Sequence, residues 1–376
     1  MRATTSTAST ATGALHCRHI MDRDEWNGIV AGFAAHDVKQ GFEWGELRSE
    51  HGWPPTRLAV FRGDECVAAC ALLTRAVPGL GAVMYAPRGP LFRPDEPEAL
   101  DQLIAAMRQL GRASGAIVVR MSPGVRLDEQ ADAACLAQHG LVSLPEPWTT
   151  WNTPRFVQVL DLGPDEKTLL GGMRRRMREY ITAAPRKGLV IEATDRDEDL
   201  AAFHALMLNV GRIKGFPVRD VGYYRSLIRR YREAGACTLL VARTADAVVG
   251  GLLAVRFGRR AYLLYTSVRS NAVDTVRHHV APAISWEFAR RARAEGCELA
   301  DFGGSGVQLP PRETDAGWGV YHFKAGLGCR LEAFVPFHDL VLRPALYRGF
   351  RLLETKVLPQ MWTLVARVPT LVPRFA

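Results

Sequence analysis

The stretch "GVYHFKAGLGCRLE", residues 319–332, sets one lysine, Lys324, between Tyr321-His322-Phe323 and a glycine-punctuated apolar run. By local pattern the tract is a strand entering a tight turn. A strand over 319–325 would turn Tyr321 and Phe323 to one side and His322 and Lys324 to the other. A lysine among bulky aromatics and glycines is partly desolvated, and its charge would act strongly on a developing oxyanion. Standing alone this is a weak signal, because most lysines simply face water. Basic runs are the second chemical resource. "MRRRMREY" (173–180) with Arg186 and Lys187 places six cations within 14 residues, against one acid, Glu179. "YRSLIRRYRE" (224–233) adds Arg225, Arg229, Arg230 and Arg232. Such runs usually solvate a helix face. The imbalance of the first suits phosphate contacts, which are blind to base sequence and sensitive to salt.

Other chemistries are disfavoured. An acyl-CoA enzyme needs a glycine-rich loop whose amides cradle a pyrophosphate at a helix start. The matching positions read "SVRSNAVDTVRHH" (267–279), without glycine, and "APRGPLFRPDEPEA" (86–99), whose prolines delete amide donors. No Walker lysine motif or GxGxxG between strand and helix is present. The seven cysteines, at 17, 66, 70, 135, 237, 297 and 329, form no CxxC pair. They read as reduced thiols packed as small hydrophobes, which implies a reducing cytoplasm. No Cys/His cluster suggests a metal site. The net charge of +9 favours anionic partners without choosing among nucleic acid, phosphorylated metabolites and anionic lipid.

The elements that must position these groups show a duplication. "VFRGDECVAACALL" (60–73) aligns without a gap on "VARTADAVVGGLLA" (241–254), each a strand, polar turn and strand. A third strand follows in both, at 81–89 and 261–269. Then come a helix and a strand: 97–113 and 116–121 in the first copy, 276–295 and 297–303 in the second. The fold class expected is α/β, with two copies of one unit, each a mixed sheet flanked by helices. The second copy has a helical preamble over 165–188, broken near Gly171-Gly172, and helices over 198–215 and 221–235. The domain reading is a disordered tail at 1–15, a first domain over 16–153 completed by 337–376, and a second over 154–336. The tail carries no secretory signal, and no 18-residue apolar run spans a membrane. Past residue 337 an amphipathic helix carries Leu346, Phe350, Leu353 and Val357 on one face. Packing onto the first domain is the preferred reading; docking on a membrane surface through Arg343, Arg348, Arg351 and Lys356 is the alternative.

Several tracts together resemble the Fem-type family (FemA, FemB, FemX), which moves amino acids from aminoacyl-tRNA onto peptidoglycan precursor stems. They are "GFEWGELRSEHGWPPTRLAVFRGDECVAA", "YAPRGPLF", "MRRRMREYITAAPRKG", "GFPVRDVGYY" and "FKAGLG". The resemblance runs from about Phe42 to about Tyr347 and implies two tandem acetyltransferase-like (GNAT-like) domains. It implies that Lys324 and Phe323 form the catalytic element, and that Arg219 and Tyr223 bind the precursor. It also places Arg48 where the family often has a precursor-binding lysine, and Tyr265, with Tyr262 competing, on the acceptor side. The basic helix, Arg174, Arg175, Arg176, Arg178 and Lys187, would meet the tRNA. The implied partners are aminoacyl-tRNA and a nucleotide-linked (UDP) or lipid-linked muropeptide. The location is cytoplasmic, at the inner face of the membrane where the acceptor is lipid-linked. No cofactor or metal is required, since the ester is already activated. The family's coiled-coil insertion is absent and 301–319 is only loosely similar, which leaves acceptor identity open. A small natural-product amine is therefore an alternative acceptor, and a non-catalytic RNA-binding module is the third reading. Asp301 reads as a strand-end cap of a glycine loop in preference to a proton relay.

Overall fold

The computed structural model describes residues 13–144, 153–269 and 276–357, which divide into two compact units. The first takes residues 13–144 with 335–350, and the second takes 153–334 with 351–357. Residues 1–12, and the apolar tail beyond 357, lie outside the described residues; Leu15, at the end of the expected tail, begins a strand.

In the first unit, β1 (Leu15–His19), α1 (Arg23–Gly32) and α2 (Phe42–Ser49) lead into the meander β2 (Pro55–Arg62), β3 (Glu65–Val77) and β4 (Gly81–Arg88). After the short β5 (Leu91–Phe92) come α3 (Pro97–Ala113), β6 (Ala116–Pro123), α4 (Gln130–Ala137) and β7 (Val142–Leu144). Pro97 starts α3 at the one place where a missing N–H is harmless. Leu100, Leu103, Ile104 and Met107 then form the stripe that α3 buries on the sheet. Strands β4 and β6 pair in parallel, and β6 is buried along its length, as a strand covered on both faces must be. A distant strand, β15 (Phe337–Val341), inserts antiparallel between β6 and β7. It is anchored by Asp339, which accepts from Arg120 Nε at 2.8 Å and from a terminal nitrogen at 2.7 Å, both side chains fully buried. From there α11 (Pro344–Leu352) leaves the sheet, with Leu346 and Leu352 exposed.

The second unit opens with β8 (Phe156–Asp161), α5 (Glu166–Gly172), α6 (Arg175–Ala183), β9 (Val190–Thr194), α7 (Asp197–Lys214) and α8 (Val221–Glu233). The meander β10 (Cys237–Arg243), β11 (Val248–Phe257), β12 (Arg260–Val268) follows, then α9 (Val280–Ala294), β13 (Leu299–Gly304), α10 (Trp318–Gly326) and β14 (Arg330–Ala333). Among the described residues the sheet order is β14-β8-β13-β12-β11-β10-β9. The duplicated series of three antiparallel strands, helix and parallel strand is present in both units. One expectation fails: 319–325 is not a strand but lies within helix α10. The helical preamble does break at Met173–Arg174, between α5 and α6.

Candidate active site

The site is built where two parallel strands part. β12 and β13 are in register only from Arg260↔Leu299 to Tyr262↔Asp301. Beyond that, β12 stays with β11 as far as Val268, while β13 bends so that Gly304 registers with Val157 of β8. Asp301 makes the bend: its Oδ1 accepts from the Gly303 amide at 2.7 Å, and Gly303 takes φ 73°, a conformation that favours glycine. Gly303 and Gly304 thus lie past the last β12–β13 pair, at the carboxyl ends of the parallel strands, where open α/β sheets place their ligands. The first unit has no such opening. There, past a register shift between Ala82 and Val83, β4 and β6 stay paired from Val83↔Val118 to Arg88↔Pro123, and Ser122 Oγ accepts from the Arg88 amide at 3.1 Å.

Lys324 occupies the divergence. Its ammonium donates to Gly303 O at 3.0 Å and Gly304 O at 2.7 Å, and the residue is 8% exposed. An ammonium has three donors, so one remains for a ligand. Burial lowers its pKa to about 8, the Asp301 carboxylate opposing part of that shift. The neighbouring Cys329 thiol is pushed up to about 12 by burial, which keeps it neutral and a poor nucleophile. Phe323 packs on the unit's core.

Long-range contacts make α10 a helix. The buried Gln158 side chain donates to Tyr321 O at 3.1 Å and accepts from Ser305 Oγ. Arg174 N donates to Gly326 O at 2.9 Å, and Gly326 leaves room for Met177. At the helix start a Cβ on Gly317 would collide with Ser305 O, so only glycine lets the chain pass there. Gln158 was not singled out from the sequence. Its role depends on partners more than 140 residues away, and no local pattern marks it.

A second constellation lies in the same unit. Asp220 caps α8 by accepting from the Tyr223 amide at 3.0 Å, so its carboxylate serves the helix start. Arg219 Cζ stands 4.9 Å from the Tyr223 ring centroid. Tyr265 OH donates to Tyr223 OH at 3.2 Å, and burial raises the Tyr265 pKa well above the ordinary tyrosine value, so it stays a neutral donor. Tyr265 lies on β12 past the last pair with β13, whereas Tyr262 sits inside the paired stretch, opposite Asp301. The structure thus brings Arg219, Tyr223 and Tyr265 together. Arg48 belongs to the first unit, on α2, with its guanidinium 5.8 Å from the Trp53 ring.

The basic helix is exposed at Arg174, Arg175 and Arg176, and Lys187 is exposed beyond it. Arg175 pairs with Glu179 at 2.7 Å and Arg178 donates to Gly171 O at 3.1 Å. Arg176 donates to Tyr180 OH at 2.6 Å. The Tyr180 ring stacks on His278 at 5.9 Å and meets His279 edge-on at 5.2 Å. The basic runs carry tyrosines of their own, Tyr180, Tyr224 and Tyr231, and the fold sets two histidines from the turn before α9 against the first of them. Among the described residues no group of three or more His, Cys, Asp or Glu side chains could hold a metal ion, and no helix is long and apolar enough to cross a membrane.

Comparison with known proteins agrees with this architecture. The FemAB family model matches residues 25–245, and an acetyltransferase (GNAT) domain model matches residues 171–325. Lipid II:glycine glycyltransferase of Staphylococcus aureus is 27% identical over 236 residues, 60% of this chain and 54% of that protein. The chain therefore spans about half the length of the curated relatives it matches. Among solved structures, FemX matches with a TM-score of 0.80 at 21% identity, over 89% of this chain and 99% of that one. A tandem GNAT protein from the clavulanic acid biosynthesis pathway matches with a TM-score of 0.55 at 15% identity, over 88% and 99%. The fold is two tandem acetyltransferase-like units, and, with more than half of its length matched by the family model, the chain belongs to the FemAB family.

Proposed function

We propose that the chain is an aminoacyltransferase that moves an amino acid from aminoacyl-tRNA onto an amine of a peptidoglycan precursor stem. The observation that carries this reading is the buried Lys324 ammonium at the parted ends of β12 and β13. An acceptor amine attacks the ester carbonyl, a tetrahedral oxyanion forms, and its collapse expels the ribose hydroxyl of the tRNA as the amide is made. The third N–H of Lys324 meets the oxyanion. The proton lost by the amine ends on the departing ribose oxygen. Asp301 is committed to the Gly303 amide, so a phosphate or carboxylate of a substrate is the better relay. Arg174, Arg175, Arg176, Arg178 and Lys187 hold tRNA phosphates, and Arg219, Tyr223 and Tyr265 take the acceptor. The relative's printed name, a glycyltransferase acting on lipid II, supports a precursor acceptor. The reaction then belongs to the cytoplasmic face of the membrane.

The test is transfer of radiolabelled amino acid from charged tRNA to a panel of nucleotide-linked muropeptide, lipid-linked muropeptide and small amines. Labelled muropeptide supports the reading. Label on a small amine alone assigns the enzyme to natural-product assembly, and tRNA binding without transfer to any acceptor leaves an RNA-binding protein. Within the first outcome, Arg219→Met is expected to raise the acceptor KM roughly tenfold or more, the worth of a hydrogen bond to a charged group, with a smaller change in kcat. Tyr223→Phe, which removes the hydroxyl that Tyr265 donates to, is expected to shift KM in the same direction. Steady-state kinetics at saturating charged tRNA check both, and KM values equal to wild type would remove the pair from the site.

A further inference from the structure

The turn joining α7 to α8 presents apolar side chains to water beside cations. Gly215 ends α7 in the left-handed conformation, φ 72°, and both its amide (2.8 Å) and that of Phe216 (3.1 Å) donate to Gly211 O. In such caps the apolar residue just past the glycine commonly folds back onto the helix. Here Val218 does so instead, seated where a Cβ on Gly211 would stand. Phe216 is left 43% exposed and Ile213, on the last turn, 59% exposed. Arg212 and Lys214, also exposed, alternate with them. The far side of the turn is fixed by His204 Nε2, 2.9 Å from Arg219 O, and by the Asp220 cap. The tip is thus a held shape with apolar points and positive flanks.

We propose that this tip, Arg212, Ile213, Lys214 and Phe216, seats on an anionic lipid surface, so that the acceptor presented to Arg219, three residues from Phe216, is the lipid-linked one. The acceptor part rests on the function proposed above; the lipid contact does not. The complementarity is that of interfacial elements: apolar side chains enter the acyl boundary while lysine and arginine meet anionic headgroups. A chain of net charge +9 adds long-range attraction of the same sign.

The experiment is co-sedimentation of the full chain with vesicles of phosphatidylcholine alone or with phosphatidylglycerol. Wild type is expected to bind the mixed vesicles and to lose binding as salt rises. The double variant Ile213→Ser/Phe216→Ser is expected to bind at least tenfold more weakly, and Lys214→Gln roughly fivefold more weakly, with unchanged circular dichroism. With lipid-linked precursor in those vesicles, kcat/KM of the double variant falls about as much as its binding, while transfer to the soluble nucleotide-linked precursor is unchanged. Vesicle binding by the double variant equal to wild type overturns the proposal. So does loss of binding only in Leu352→Ser/Leu353→Ser, at the exposed end of α11 and just past it, or a tip variant that changes only the oligomeric state. A protein that binds vesicles through the tip yet transfers to no acceptor would sink the function and leave the lipid seat standing.

Discussion

Lys324→Met is expected to lower amide-forming turnover on the order of 100- to 1000-fold while the protein stays folded. The size is that of removing one preorganised donor aimed at a developing oxyanion. The fold survives because the lysine stem lies among the same neighbours as a methionine would. The substitution deletes a desolvated charge together with its bonds to the Gly303 and Gly304 carbonyls. Acceptor KM should move little, since the group acts on the transition state. The pH dependence separates this role from its rival. Burial holds the Lys324 pKa near 8, so a catalyst that needs the ammonium loses kcat as pH rises through about 8. A lysine acting as general base would gain kcat over the same interval. The linkage to folding runs with it. The folded pKa lies below the unfolded 10.5, so the unfolded chain holds this proton more tightly. The term therefore costs stability at and below pH 8, about 3 kcal/mol by the size of the shift, and stability rises with pH from about 8 to 10.5. A kcat–pH curve for wild type that climbs through pH 8, or Lys324→Met turning over like wild type, would remove Lys324 from the centre of the reaction.

The paired units were legible because their signals are local. Pro97 and the stripe from Leu100 to Met107 bound α3, and the polar turns at Gly63-Asp64 and Ala245-Asp246 mark two hairpins that β2–β3 and β10–β11 form. The state of the Lys324 tract was not legible. Val320, Tyr321 and Phe323 are strand formers by propensity. The helix is imposed by contacts between distant segments: Gln158 on Tyr321 O, Arg174 on Gly326 O, and the tight passage at Gly317. The partners of Lys324 are backbone carbonyls, which leave no trace in residue types. They are exposed by an Asp301–Gly303 turn that the sequence shows only as an acid before two glycines. The resemblance named Lys324, yet the reason its ammonium is held is a parting of strands seen only in three dimensions. The Tyr180–His278 stack likewise joins residues 98 positions apart.

Asp339→Ala is expected to be the costliest single change to the fold of the first unit, about 3–5 kcal/mol. The carboxylate receives two bonds from Arg120 and a third from Tyr347 OH at 2.9 Å, with no exposure of either charged side chain. Removing it strands a guanidinium that cannot shed its proton. Reaching the same pair from the other side gives a sharper test. Arg120→Met/Asp339→Leu deletes both charges and is expected to recover most of the loss, because an ion pair removed whole takes its desolvation cost with it. For a unit of about 150 residues the single change corresponds to roughly 10 °C in the unfolding midpoint, read by calorimetry. The pair joins strands 219 residues apart. It thereby fixes β15 beside β6, and through β6 the parallel partner β4, which carries the "YAPRG" tract. The lesion should lower the midpoint of the first unit without shifting the kcat–pH midpoint set by Lys324, which lies in the second. A single variant costing under 1 kcal/mol, or a double variant as unstable as the single, would show that this closure is held by the backbone ladder and not by the buried charges.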